Sequence, residues 1–199
     1  MPQKSFLSHS KCTSIAERFG RDLNHISRVS SVALEIYDKM KKLHGYKLRE
    51  RTLLQVSAIL QDIGKYVNVK NHALLSYNTI TNLDIVGIND HERLIIATVC
   101  YYHNGNIPSM DSPIYNQLSQ EDRVMVSKLA AILQISNAIN TSHSPKFEQV
   151  NVNMKNGKLN IYLTTLKNIN LEKWAFIAKS KLFREVYGLN ATIIKRGVL

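Results

Sequence analysis

Several features that would place a protein in a special class are scarce in this sequence. Among 199 residues there are two cysteines, Cys12 and Cys100, and neither lies in a Cys-X-X-Cys spacing. We therefore expect reduced structural thiols rather than a disulfide framework. No apolar run approaches the roughly 18 residues of a membrane-spanning helix, and the polar amino terminus lacks the apolar core of a signal peptide. These absences predict a cytoplasmic protein without a membrane segment.

Acidic residues are also few. The chain has 15 Asp and Glu against 26 Lys and Arg, which gives a formal net charge of +11. This excess favours an anionic partner such as a phosphate chain, a nucleotide or a nucleic acid. Nucleic acid is the least favoured of these. The basic residues are spread out, aromatic residues are not interleaved with them along the chain, and no recognition module is visible.

What is present indicates a globular, mainly α-helical body. With 44% apolar and 21% charged residues, the chain has an ordinary globular composition, and its length favours one domain with a small appendage. Apolar residues at three- and four-residue spacing predict the helices. They cover residues 14–19, a long helix capped by Asp22 and ending at His44-Gly45, and residues 53–66, 72–81, 94–103 and 124–139.

The carboxyl-terminal part has a different character. Residues 150–154 and 158–163 alternate around Asn156-Gly157, which predicts a β-hairpin. A helix over 171–187, with Trp174 in the core, and a final strand should follow. We therefore divide the chain into a leader or linker remnant (1–13), a helical domain (14–145) and a small α+β unit (146–199). An exposed hairpin edge would also allow a homodimer.

The central polar motif is Gln61-Asp62. An apolar helix runs directly into this pair, and a glycine and a polar turn leading to His72 follow. A carboxylate at the end of an apolar helix needs a partner to stay charged. A metal ion, His25 on the inward stripe of the preceding long helix, or a nearby Arg or Lys would each serve. The motif therefore indicates a polar pocket.

The order of these motifs resembles the HD-domain superfamily of phosphohydrolases. It more closely resembles the carboxyl-terminal domain of the exopolyphosphatase/guanosine-pentaphosphate phosphatase family, over roughly residues 14–196. The matching strings are Leu43-His44-Gly45, LQDIGKYVN at 60–68, Asn71-His72, Ser76-Tyr77, Tyr102-His103, Asp122-Arg123, KLAAIL at 128–133, and Leu171-Glu172 with Trp174. This resemblance implies an HD-like helical bundle with a small hairpin-helix-strand appendage.

The departures from the resemblance affect the metal site that it implies. In the HD superfamily a histidine, a histidine-aspartate pair and a late aspartate bind a divalent metal. Here Gln61 takes the place of the paired histidine and Asn137 that of the late aspartate. Only His25 and Asp62 remain as strong candidate ligands, because neutral amide oxygens bind transition metals weakly. We therefore expect no tightly bound cofactor.

Two functions follow from the resemblance. The leading hypothesis is a non-catalytic accessory domain that binds polyphosphate, guanosine polyphosphate or a phosphatase catalytic domain. No glycine-rich phosphate loop with paired acidic residues precedes Ser14, so the family's catalytic halves are not expected here. The alternative is a free-standing metal-dependent phosphohydrolase that acts through Asp62. For the accessory domain, the expected phosphate contacts are Lys65, Lys70, His72, His103 and Arg123. For the phosphohydrolase, one labile Mn, Mg or Zn ion would be held by His25, Gln61, Asp62, His72 and Asn137.

Overall fold

The computed structural model describes the backbone of residues 3–155 and 157–197 and, within these ranges, the side chains from residue 11 onward. The protein is mainly α-helical with a small three-stranded sheet near its carboxyl terminus, as predicted. No helix in these ranges is long and apolar enough to cross a membrane. The elements are α1 (Gln3–Arg18), α2 (Leu23–Lys39), α3 (Lys41–His44), α4 (Leu48–Leu60), a 3₁₀ helix (Ile63–Tyr66), α5 (His72–Thr81), α6 (Asp90–Tyr102), α7 (Pro113–Asn116), α8 (Gln120–Ile139), β1 (Gln149–Lys155), β2 (Lys158–Thr164), α9 (Asn170–Tyr187) and β3 (Asn190–Arg196).

Helix α1 is longer than the sequence predicted. It begins at Gln3, so residues 3–13 of the expected leader are helical, while Met1 and Pro2 lie outside the described residues. Cys12 and Ala16 are fully buried, one helical turn apart, and join the core. Because they are four residues apart, they lie on one face of α1, and this face is buried. The polar residues around them hide the helical pattern of apolar residues in the sequence.

The long helix predicted to reach His44 is interrupted. Asp22 caps α2 as expected, because its carboxylate accepts hydrogen bonds from two backbone amides of the first turn. The helix nevertheless ends at Lys39. His44, in the separate helix α3, turns back so that its Nε2 lies 2.9 Å from the Tyr37 carbonyl oxygen. Gly45 then ends α3 in the left-handed conformation, at φ 71°.

Helices α6 and α8 lie side by side and run in the same direction. At their amino-terminal ends, the His91 Nε2 lies 2.9 Å from the Asp122 carboxylate. At the other end, the Gln134 side chain of α8 donates to the Tyr102 carbonyl at 2.7 Å. This arrangement brings the carboxyl end of α6, with the following His103, beside the middle of α8.

The sheet has the strand order β1-β2-β3. Strands β1 and β2 form the predicted antiparallel hairpin, although Asn156 of its turn lies outside the described residues. Strand β3 pairs with β2 in parallel, and α9 makes the connection between them. Alternate strand residues face the core. They are Val152, Leu159, Ile161, Leu163 and Ile193.

Trp174 does not lie in the core, contrary to the prediction. Its side chain is 76% exposed, whereas Phe176, two residues later, is 3% exposed. Two residues along a helix correspond to a rotation of about 200°, so the two rings point in nearly opposite directions. The inner face of α9 packs against α8 and the sheet through Phe176, Leu182 and Phe183.

The core is continuous between the helical bundle and the sheet. Fully buried residues of α4, such as Leu54 and Leu60, belong to the same hydrophobic cluster as Leu159 of β2 and Phe183 of α9. Each fully buried side chain of this size stabilises the fold by roughly 1.5–3 kcal/mol. The Gln61-Asp62 pair thus follows a helix whose second half is almost entirely buried.

Candidate functional site

The site begins where α4 ends. Gln61 closes the helix, and Asp62 precedes the 3₁₀ helix. The Ser76 hydroxyl of α5 donates to the Gln61 carbonyl at 2.8 Å and accepts from the Gly64 amide at 2.9 Å. A Cβ atom at Gly64 would lie 2.3 Å from the His72 carbonyl oxygen. Glycine therefore allows α5 to pack directly on this turn, and the contact places His72 beside Asp62.

Three side chains converge on the Asp62 carboxylate. The Lys65 ammonium lies 2.7 Å from Oδ2, and the His103 Nε2 lies 3.2 Å from Oδ1. The His72 Nε2 lies 3.6 Å from the same Oδ1 and 3.2 Å from the His103 Nε2. Asp62 and His103 are buried, while Lys65 and His72 are half-buried. Of the partners expected for Asp62, a nearby lysine is thus present as Lys65, together with two histidines.

Backbone contacts determine which nitrogen of each histidine faces Asp62. The His103 Nδ1 lies 2.5 Å from the Cys100 carbonyl oxygen, and the His72 Nδ1 lies 2.7 Å from that of Val69. A carbonyl oxygen can only accept, so both Nδ1 atoms carry hydrogen. In the neutral form, both Nε2 lone pairs then point toward the Asp62 oxygen. Three acceptors this close require a cation between them, either a proton on one Nε2 or a metal ion.

Asp62, His72 and His103 are able to hold a metal ion. Their three ligand atoms lie within 4.8 Å of one another. Ligand atoms about 2.1 Å from a tetrahedral ion lie roughly 3.4 Å apart, close to the separations described above. Two imidazoles and one carboxylate also form a common donor set for zinc and related ions.

The ionisation states follow from burial and charge. Burial opposes ionisation of Asp62, but hydrogen bonding and positive charge from His103 and Lys65 outweigh it and hold the carboxyl pKa well below its usual range. Burial lowers the pKa of His25 to about 4. At neutral pH the pocket therefore contains a carboxylate together with an uncharged His25 imidazole.

The second half of the pocket contains buried polar atoms without partners. These are both ring nitrogens of His25, both amide atoms of Gln61 and the Arg28 Nε; none has a hydrogen-bond partner among the described residues. Buried polar groups are normally paired, so these atoms indicate a place for a polar ligand. This half adjoins the first, because the charges of Asp62 and Lys65 both act on His25.

His143 covers His25. Their rings are stacked with centroids 3.9 Å apart, and the Arg28 Nη2 donates to the His143 carbonyl at 3.3 Å. His143 adopts a φ of 54°, in the left-handed region that few non-glycine residues occupy. Stacking and the Arg28 hydrogen bond hold this unfavourable backbone conformation at the exposed edge of the pocket. The sequence singled out neither Arg28 nor His143.

Lys179 is a third cation that the sequence analysis missed. It lies on the inner side of α9, half-buried, and burial lowers its pKa while the Asp62 charge raises it. Its Cγ is 3.8 Å from the position of a Cβ at Gly105, just beyond His103. One signal was available: Lys179 stands between Phe176 and Phe183 at core spacing, where a lysine is unusual.

The structure brings together only part of the predicted set. Asp62, Lys65, His72 and His103 meet, with His25 and Gln61 beside them. Lys70 is exposed in the loop before α5. Asn137 is half-buried on α8, and none of the Asp62 hydrogen bonds or ion pairs in the described residues involves it.

Arg123 lies away from this cluster. Its guanidinium contacts the Met110 sulfur at 2.9 Å. On α8, Arg123 lies about 16 Å along the helix axis from Gln134, and Gln134 contacts the end of α6 near His103. A phosphate contact from Arg123 therefore requires a ligand that extends well beyond the pocket.

The comparisons with known proteins agree with this description of the chain. The family model described as Ppx/GppA phosphatase, domain III, matches residues 9–182. A search of curated proteins finds no match.

Proposed function

Because the chain belongs to the Ppx/GppA phosphatase domain III family, we propose that it is a non-catalytic accessory module that binds a phosphate-rich anion in the Asp62 pocket. Polyphosphate or a guanosine polyphosphate is the ligand class, and a phosphatase catalytic domain is the proposed protein partner. The observation that carries this proposal is the set of unpaired buried polar atoms on His25, Gln61 and Arg28. The nitrogen atoms of this set have no hydrogen-bond acceptor, and the oxygens of a phosphate group would provide one.

The charge balance of the pocket supports the same ligand. Lys65 is paired with Asp62, Lys179 is close enough for the Asp62 charge to act on it, and Arg28 lies beside His25. Arg28 and Lys179 therefore supply uncompensated positive charge. Charge-assisted hydrogen bonds to phosphate are stronger than neutral ones, and their strength increases in a partly buried pocket.

The proposal is tested by polyphosphate binding to two double variants of equal charge. Arg28→Gln with Lys179→Gln removes the two pocket charges that are not paired with Asp62, whereas Lys173→Gln with Lys181→Gln removes two exposed charges from α9. Since a hydrogen bond to a charged group contributes about 1.5–3 kcal/mol, loss of two should weaken binding by at least about a hundredfold. Isothermal titration calorimetry of the full chain measures this, and equal losses in both pairs would refute the pocket as the binding site.

A metal-dependent phosphohydrolase is a second candidate, favoured by the convergence of Asp62, His72 and His103. These three residues would hold a divalent ion, which supplies Lewis acidity toward a phosphoryl oxygen or a bound water. Lys65, Arg28 and Lys179 would then orient the phosphate.

Equilibrium dialysis against zinc and manganese distinguishes the two functions. A metal site is established if the wild type retains one ion and His72→Ala loses it. The control is His91→Ala, on the exposed start of α6, which should retain the ion. Hydrolysis of a phosphoester that disappears in Asp62→Ala would then favour the second candidate over the first. Binding of polyphosphate without turnover supports the accessory role.

A further inference from the structure

The sheet presents one open polar face. The side chains that alternate with the buried ones along the three strands point away from the core. On β1 and β2, Asn151 is paired with Tyr162 and Asn153 with Asn160. Asn151 and Asn153 are exposed, while Asn160 and Tyr162 are half-buried. On β3, Thr192 and Arg196 continue the same face and are exposed, and the half-buried Ile194 stands between them, opposite Tyr162.

The three strands of this face carry positive charge and no acidic side chain, and Lys39 of α2 beside them is paired with Glu35 at 3.9 Å. Lys155 and Lys158 stand opposite each other at the hairpin end of the face. Arg196 stands at the other end, and Lys39 of α2 lines the cleft beside Asn151. The sheet therefore contributes a basic surface separate from the Asp62 pocket.

At the centre of the cleft an aromatic ring and a guanidinium are stacked. The guanidinium carbon of Arg196 lies 3.7 Å from the centroid of the Tyr162 ring. Asn151 and Asn153 line the same cleft, and each offers an amide donor and an amide acceptor. Flat aromatic and guanidinium surfaces beside amide side chains suit unpaired nucleobases, which stack on such planes and expose hydrogen-bonding edges.

We propose that this sheet face binds single-stranded nucleic acid, independently of the anion pocket. A base stacks on the Tyr162–Arg196 pair, asparagine amides contact base edges, and Lys39, Lys155 and Lys158 contact phosphates. The one aromatic residue of the three strands, Tyr162, lies beside a basic residue of the neighbouring strand, which the order of residues along the chain does not show. Polyphosphate offers charge alone, so a surface built for polyphosphate has no use for the stacked pair and the asparagines.

The test is fluorescence anisotropy of the full chain with a short labelled oligouridylate, compared between Tyr162→Ala and Tyr162→Phe. Loss of one base stack corresponds to about a tenfold weaker affinity, and Phe keeps the ring. Tyr162→Ala should therefore lose about tenfold and Tyr162→Phe should stay close to wild type. Arg196→Ala, at an exposed position, should weaken binding similarly and gives a second variant if Tyr162→Ala unfolds.

Polyphosphate affinity is measured on the same variants. If the sheet is a separate site, Tyr162→Ala keeps the wild-type affinity for polyphosphate, and failure of the pocket proposal would not affect the oligonucleotide result. Unchanged oligouridylate affinity in both Tyr162→Ala and Arg196→Ala would overturn the inference. A competition experiment gives a second criterion, at salt concentrations from about 50 mM to about 200 mM. If charge-matched polyphosphate displaces the labelled oligouridylate as well as unlabelled oligouridylate does, binding depends on charge alone and the inference is overturned.

Discussion

Individual side chains in the Asp62 pocket take their chemical roles from their backbone partners. His72 and His103 present Nε2 to Asp62 because the carbonyls of Val69 and Cys100 hold their Nδ1 atoms. His44 has similar contacts with the backbone but lies on α3, with Nδ1 accepting from the Tyr46 amide. The residue type alone therefore does not assign a histidine to a site.

Gly64 allows the close approach of α5 that positions His72. In Gly64→Ala the added Cβ would lie 2.3 Å from the His72 carbonyl oxygen and 2.5 Å from the Ser76 amide. Both are backbone atoms that cannot rotate away. We expect this variant to lose about 1–3 kcal/mol of unfolding free energy through overpacking, measured by urea denaturation.

The matched control for this prediction is Gly197→Ala. A Cβ at Gly197 meets nothing within 4 Å, so its effect should stay within about 0.5 kcal/mol. Equal stability of the two variants would contradict the packing argument.

His25 should make stability depend on pH. Its pKa is lowered from 6.5 to about 4 by burial, so between these values the unfolded chain binds more protons than the folded protein. Stability is then full above pH 6.5 and falls as pH decreases toward 4. Between pH 7 and pH 5 this residue alone should cost about 2 kcal/mol.

His25→Leu removes the titrating group. Its loss of unfolding free energy between pH 7 and pH 5 should therefore be about 2 kcal/mol smaller than that of the wild type. Urea unfolding of the wild type and the variant at pH 7, 6 and 5 measures the difference. If the two proteins show parallel profiles, His25 does not titrate as burial predicts.

At the level of elements, α9 has two faces with different roles. Phe176 and Phe183 belong to the core, while Trp174 and Ile177 are exposed. We expect Phe176→Ala to cost about 3–5 kcal/mol and Trp174→Ala to change stability by less than about 0.5 kcal/mol. Thermal and urea unfolding of both variants, which lie on the same helix two residues apart, measure the contrast.

Trp174 also allows a direct check of this arrangement, because it is the only tryptophan of the chain. With 76% of its surface exposed, it should be quenched by acrylamide almost as efficiently in the folded as in the unfolded protein. Strong protection from the quencher would instead place Trp174 in an interface or in the core.

For the whole molecule, the continuous core predicts cooperative unfolding. Residues of the predicted 146–199 unit, among them Leu159 and Phe183, are fully buried in the same cluster as α4 and α8. We expect one calorimetric transition with equal calorimetric and van't Hoff enthalpies. Two separable transitions would mean that the carboxyl-terminal unit folds independently, in agreement with the predicted division at residue 145.

Local features of this protein could be read from the sequence because local interactions determine them. Asp22 and Ser119 cap their helices through hydrogen bonds to backbone amides two or three residues away. Alternation on either side of Asn156-Gly157 predicted the hairpin, and the apolar run before Gln61 predicted the buried α4. The family resemblance, which rests on strings such as LQDIGKYVN at 60–68 and KLAAIL at 128–133, is confirmed.

Tertiary structure alone decided which polar side chains meet. His103 reaches Asp62 because α6 packs against α4, and Lys179 approaches from α9, more than a hundred residues after Asp62 in the chain. The sequence placed Trp174 inside because aromatic residues are usually buried, but the packing of α9 on α8 buries Phe176 instead. Caps and periodicity depend on neighbours within one turn, whereas a pocket depends on how whole helices pack. The sequence by itself therefore determined the family and most of the elements, though not the start of α1 or the break between α2 and α3, and packing determined the site.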